Sequence, residues 1–238
     1  VRSRRQRQMC IRDRFIIAGQ SNSAGYSRDF CIDPPSMDVH LYRNRSKWDI
    51  ASHPMNESTF ARSLANEEMG VPGVSPYLAF GKTYGKMTGM PVGLIQTSLG
   101  GSPMERWNPK DGDLYLNMLD KIHQTGGKYA GVLWYQGCSD TNPGPAEKYL
   151  EHFREYVEAT RKELGYEIPF FTMQLNRQIN GINDECWGMV RDAQARAAKE
   201  IPGVSVLTTS NLSLCDGIHN TAQANVCLLY TSPSPRDA

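Results

Sequence analysis

The sequence predicts an α/β protein: a three-layer α/β/α arrangement with a mostly parallel central sheet. Three observations carry this. Short apolar runs alternate with longer amphipathic stretches, roughly every 35 residues. The short runs are nearly continuous in apolar residues, as expected of strands covered on both faces. Four strand ends run into polar or glycine-rich sequence, at residues 19–25, 98–102, 136–140 and 209–219. In parallel sheets ligands bind beyond the carboxyl ends of the strands, so these four segments can converge on one rim.

The first strand is Phe15-Ile16-Ile17-Ala18, running into Gly19-Gln20-Ser21-Asn22-Ser23-Ala24-Gly25. Residues 26–38 read as loop, broken by Pro34-Pro35. Val39 to Tyr42 alternates and reads as a short strand. Residues 43–74 are polar and irregular; a loop this long inside a compact domain is usually functional, and it is expected to form part of the substrate rim. Ser75 to Lys86 has helical spacing, with Pro76 suited to the first turn. Pro91 to Thr97 is a strand that enters the turn Ser98-Leu99-Gly100-Gly101-Ser102. A helix over 111–124, a strand from Tyr129 to Tyr135 and a helix from Ala146 to Leu164 follow. Ile168 to Leu175 (strand), Asp184 to Glu200 (helix) and Val204 to Thr208 (strand) complete the pattern, before Cys215-Asp216-Gly217-Ile218-His219. No internal repeat and no boundary between two domains is visible.

The chain has 238 residues, 39% hydrophobic and 21% charged, as in an ordinary globular protein. A net charge of +1 gives no reason to expect nucleic acid or a membrane surface as partner. No apolar run approaches the roughly 20 residues needed to span a bilayer. Six cysteines make neither a disulfide scaffold nor a zinc-ligand spacing, and they leave the redox compartment open. The two ends stand apart. Residues 1–14 are arginine-rich without apolar period, and 227–238 form a Pro/Ser tail; both read as non-native flanks of the adapter read-through kind, around a domain at 15–226. The rival reading of 1–14, a basic arm for nucleic acid, finds no support elsewhere in the chain. The helix that would follow His219 is expected to be missing.

Acyl transfer needs a nucleophile, a base, a group that orients the base, and donors for the oxyanion. Each has a candidate on the shared rim. Ser21 stands just past a strand between two glycines, where a tight turn can expose its hydroxyl. The setting is neither a G-x-S-x-G elbow nor a phosphate-binding loop, since no Lys follows Gly25. His219 is the base candidate, and Asp216, three residues before it, can accept from its Nδ1–H. Oxyanion donors are available from the Ser21 N–H, from Gly100 or Gly101, and from the Gln136 side chain. Each feature alone has a plainer reading: Ser21 and Asp216 as helix caps, Gly100-Gly101 as a turn, Gln136 as a strand-end residue bonding backbone.

Together the segments are far more specific. Gly-Gln-Ser-Asn-x-x-Gly (19–25), Gly-Gly-Ser-x-x-Glu-x-Trp (100–107), Trp-Tyr-Gln-Gly-x-Ser-Asp (134–140) and Asp-x-x-His (216–219) resemble, in order, the blocks of the sialate O-acetylesterase / carbohydrate esterase family 6 group of SGNH hydrolases. The resemblance covers residues 15 to about 226. It implies a flavodoxin-like fold, metal-free hydrolysis of acetyl esters on carbohydrate (acetylxylan or O-acetyl sialic acid type), and a secreted or periplasmic setting. It implies Ser21 as nucleophile, His219 as base, Asp216 as its acid, and Gly100 or Gly101 with Gln136 at the oxyanion. Gln20, Asn22, Glu105 and Trp107 are assigned to substrate binding, with Trp107 either stacking on a sugar face or covering the core. One position departs from the pattern: Cys138 stands where the third block usually has Glu. An alternative nucleophile there would need a second base beside it. Asp140 is expected to be a solvated loop or cap residue, or else a polar support. Two other functions fit the same residues: an SGNH esterase for a different acyl ester, and a non-catalytic carbohydrate-binding relative.

Overall fold

Phe15, Ile16, Ile17 and Ala18 are at most 2% exposed and form the middle of β1 (Asp13–Gly19), the central strand. The computed structural model describes residues 13–43, 46–56, 73–179, 181 and 183–228. The other strands are β2 (Val39–Arg43), β3 (Lys47–Ile50), β4 (Val92–Gln96), β5 (Gly131–Tyr135), β6 (Phe170–Met173) and β7 (Val204–Leu207). They form one seven-stranded sheet in the order β3-β2-β4-β1-β5-β6-β7. Every pairing is parallel except the antiparallel β2–β3 pair at one edge.

The helices are α1 (Ser21–Ala24), α2 (Tyr77–Thr88), α3 (Asp113–Thr125), α4 (Pro145–Leu164), α5 (Asp184–Glu200) and α6 (Ala222–Leu228). Side-chain alternation places the long ones on two faces. Phe15 of β1 meets Phe80 and Tyr84 of α2 edge-on, at 4.8 and 5.0 Å. Trp134 of β5, whose register partner on β1 is Ala18, packs on Tyr156 of α4 at 4.7 Å. Phe15 and Ala18 are an odd number of residues apart, so they face opposite sides of the sheet. The expected three-layer α/β/α arrangement is what the chain adopts.

β3 is the strand that sequence reasoning missed. Lys47-Trp48-Asp49-Ile50 has no apolar run, because an edge strand buries little: Lys47 and Asp49 pair across 3.1 Å with side chains 57% and 45% exposed. Residues 57–72, the bulk of the expected substrate rim, lie outside the described residues, as do 1–12 and 229–238. The ordered fold reaches into both segments read as flanks. Asp13 and Arg14 pair with Val92 and Gly93, and Arg14 donates to the Thr125 carbonyl at 3.0 Å. Cys227 and Leu228 close α6, a helix that does follow His219 and packs beside α2.

The chain leaves β1 for β2, returns to β4 on one side of β1, and then crosses to β5 on the other. Beyond the carboxyl end of β1 lies the crevice where such sheets bind ligands. Gly19 closes β1 with φ +132°, and a Cβ there would stand 2.2 Å from the Tyr135 carbonyl oxygen. Only glycine lets β1 and β5 stay this close where the chain turns toward Ser21.

Candidate active site

Ser21 is the first residue of α1 rather than its cap. Gln20 holds the cap position, and no side chain caps the helix. The Ser21 hydroxyl is therefore free for another partner, which is His219: Oγ and Nε2 are 2.8 Å apart. The other ring nitrogen, Nδ1, lies 2.7 Å from Asp216 Oδ2. Asp216 Oδ1 accepts from the N–H groups of Ile218 (2.8 Å) and His219 (2.7 Å), folding the segment into a tight turn. Burial opposes charge on Asp216, but those two N–H groups and the imidazole outweigh it and hold the carboxyl below its usual value. A carboxylate fixed this way orients Nδ1–H toward itself and leaves Nε2 to accept from Ser21.

Ser21 and His219 open on a cleft of about 850 Å³, whose walls also include Gly100, Gly101 and Cys138. Gly101 has φ +68° with open space where a Cβ would be, so the turn presents backbone rather than side chain to the cleft. Tyr26 lies flat on the His219 ring, centroids 3.8 Å apart and planes within 6°, while remaining 48% exposed. Nothing in the sequence pattern pointed to Tyr26. Its only signal is being the one aromatic residue directly after the Gly25 turn.

A family model described as carbohydrate esterase, sialic acid-specific acetylesterase matches residues 12–229. The chain belongs to that family. A probable carbohydrate esterase from Arabidopsis thaliana is 28% identical over 239 residues, covering 90% of this chain and 86% of the relative. Among solved structures, an Arabidopsis thaliana protein superposes with a TM-score of 0.78 at 23% identity, over 91% of this chain and 94% of the other. NanS gives 0.71 at 14% identity, over 91% and 93%. A carbohydrate acetylesterase from Xanthomonas citri gives 0.69 at 20%, over 90% of this chain and 54% of the other. Lipase and acylhydrolase structures share the fold more distantly, as with an Enterococcus faecalis protein at 0.52.

Several assigned residues sit elsewhere in the structure than the sequence suggested. Gln136 is fully buried, and both hydrogens of its amide are committed, to the Ser102 carbonyl at 3.0 Å and to Asp140 Oδ2 at 2.5 Å. It braces the 98–102 turn from behind and has no hydrogen left for an oxyanion. Trp107 is 0% exposed, packed edge-on against Trp134 at 5.2 Å, with its N–H on Ser102 Oγ. It covers the core and has no face to offer a sugar. Glu105 is exposed but lines a second hollow, with Lys148 and His152, outside the Ser21 cleft.

Gln20 lines the cleft, yet its Oε1 accepts from the N–H groups of Gly137 (2.9 Å) and Ser139 (3.3 Å), tying the first block to the third. Asn22 is 2% exposed and bonded through both amide atoms to the chain around His219, which removes it from the substrate-binding set. Asp140 is a support and not a solvated cap: it is 3% exposed and accepts from Gln136 and the Met104 N–H. Burial pushes its carboxyl up despite those donors. Burial also pushes the Cys138 thiol up, to about 12, so it is neutral in ordinary buffers. Among the described residues, no group of three or more His, Cys, Asp or Glu is placed to hold a metal ion.

Proposed function

We propose that this chain is a serine-dependent O-acetylesterase that removes acetyl groups from carbohydrate. The observation that carries the reading is the continuous chain Ser21 Oγ–His219 Nε2 (2.8 Å) and His219 Nδ1–Asp216 (2.7 Å), opening on the cleft. Family membership and the acetylesterase names of its relatives support the acetyl and carbohydrate parts.

His219 Nε2 takes the Ser21 proton as Oγ attacks the acetyl carbonyl carbon. The carbonyl oxygen becomes the oxyanion, met by N–H donors of Ser21 and of Gly100 or Gly101. Asp216 stabilises the imidazolium that forms. Collapse breaks the bond to the sugar oxygen, which takes the proton from Nε2 and leaves as an alcohol. Water then attacks acetyl-Ser21, giving its proton to Nε2. The second collapse returns that proton to Ser21 and releases acetate.

A non-catalytic carbohydrate-binding role is favoured only by Cys138 in the position of the usual Glu. Acetate release from p-nitrophenyl acetate, acetylated xylan and O-acetyl sialic acid separates the readings. Turnover of at least one acetylated carbohydrate is expected. Turnover of p-nitrophenyl acetate and longer acyl esters, with none of the carbohydrates, points to another acyl ester. No turnover of any of them, with sugar binding retained, points to the binding role.

A further inference from the structure

The loop that carries Asp216 and His219 has almost no regular structure of its own. One isolated bridge, Leu214 to Asn220, spans it. Its position against Ser21 must come from elsewhere, and a set of buried asparagines supplies it. Asn22, Asn176, Asn220 and Asn225 are 2%, 1%, 0% and 0% exposed. Asn220 accepts from Asn176 Nδ2 at 3.0 Å and donates to the Tyr135 hydroxyl at 3.2 Å and to Asn225 Oδ1 at 3.1 Å. Asn225 in turn donates to the Val74 carbonyl at 2.8 Å.

Asn22 joins this set to the helix that bears Ser21. Its Oδ1 accepts from the Asn220 N–H at 2.9 Å, and its Nδ2 donates to the Ile218 carbonyl at 3.1 Å. A backbone N–H can only donate and a carbonyl can only accept, so the amide has one satisfied orientation. The two partners are the residues on either side of His219. One side chain, next in sequence to Ser21, thus grips the backbone on both flanks of the base.

The geometry points to Asn22 as a positioning residue that sets the Ser21–His219 distance by clamping residues 218 and 220. This rests on the serine esterase reading above. The clamp acts through His219 and not on the sugar, so its loss lowers kcat and leaves KM unchanged. A misplacement on the order of 1 Å costs about 100-fold in such sites.

The test is a double-mutant cycle between Asn22→Ala and His219→Ala, read on p-nitrophenyl acetate hydrolysis and on the rate of Ser21 phosphonylation, with circular dichroism and thermal unfolding in parallel. Asn22→Ala in the parent background is expected to lower both rates about 10- to 100-fold with KM held. In the His219→Ala background the same change is expected to alter the residual rates less than about twofold, because the group it positions is gone. Asn22→Asp keeps the shape and the acceptor for Asn220 and loses the donor to Ile218. It is expected to fold and to lose kcat as well, which keeps the test decisive if the Ala variant does not fold. Equal losses in both backgrounds, a loss in KM with kcat intact, or an Asn22→Asp variant as fast as the parent would each overturn the clamp. A parent chain that is not phosphonylated on Ser21 overturns the esterase reading itself, and the clamp with it.

Discussion

His219 is held between two side chains that are distant from it in sequence: its Nε2 meets Ser21 Oγ at 2.8 Å, and its ring face lies 3.8 Å from the ring of Tyr26. In the proposed mechanism the first contact aligns the base with the nucleophile. The second limits how the imidazole can rotate out of that alignment.

Tyr26 therefore contributes through its ring and not its hydroxyl. Aromatic stacking of this kind is worth about 0.5–1.5 kcal/mol, up to roughly tenfold in rate. Tyr26→Ala is expected to lower kcat on p-nitrophenyl acetate by up to about tenfold, and Tyr26→Phe to stay within about twofold of the parent. Steady-state kinetics on the two variants decide it; equal losses would show that the hydroxyl matters.

Asp216 Oδ2 lies 2.7 Å from His219 Nδ1, a contact that favours the tautomer leaving Nε2 as acceptor. Asp216→Asn keeps the shape and offers an N–H where a carboxylate was, which favours the wrong tautomer. A fall in kcat of about 10³- to 10⁴-fold is expected, with melting little changed. A variant as active as the parent would assign the acid role to another group.

Cys138 is neutral at working pH because burial and the nearby Asp140 and Asp216 carboxylates raise its thiol to about 12. Cys138→Ser should then keep the acid limb of kcat/KM where it is, and the rate within about threefold. Slow alkylation by iodoacetamide below pH 9 is the companion expectation. Rapid alkylation with loss of activity would make the thiol a participant.

Away from the cleft, Asp33 is buried between His53 Nε2 at 3.0 Å and Lys82 Nζ at 2.5 Å. Burial alone would raise its carboxyl, but the bonds from His53 and Lys82 outweigh it and hold it below its usual value. A folded-state pKa below the unfolded one means stability present above about pH 3.9 and lost as pH falls through the folded pKa. Asp33→Asn is expected to cost about 2–3 kcal/mol at pH 7, less than a fully buried pair because Lys82 is 23% exposed. The gap to the parent should close in acid, as followed by urea unfolding from pH 7 to 3. A gap independent of pH would rule out the ionic contribution.

The sheet was legible because β1, β4 and β5 are buried along most or all of their length and read as nearly continuous apolar runs. β3 was not, because an edge strand carries exposed charge. At the site, Ser21, Asp216 and His219 were legible from spacing and block order, and the structure brings the three together. Gln136 and Trp107 were misplaced because their residue types fit an exposed role as well as a buried one. Which way a strand-end side chain turns is decided by tertiary partners, here Asp140, Ser102 and Trp134. Asn22 and Tyr26 make their contacts across about 200 residues of sequence, with segments that have no period to betray them.

Fluorophosphonate labelling followed by peptide mapping decides whether Ser21 is the nucleophile. A single phosphonyl adduct on Ser21 is expected, absent from Ser21→Ala and formed far more slowly in His219→Ala. An adduct on Cys138 or another residue, or acetate release that persists in Ser21→Ala at the parent rate, would contradict it.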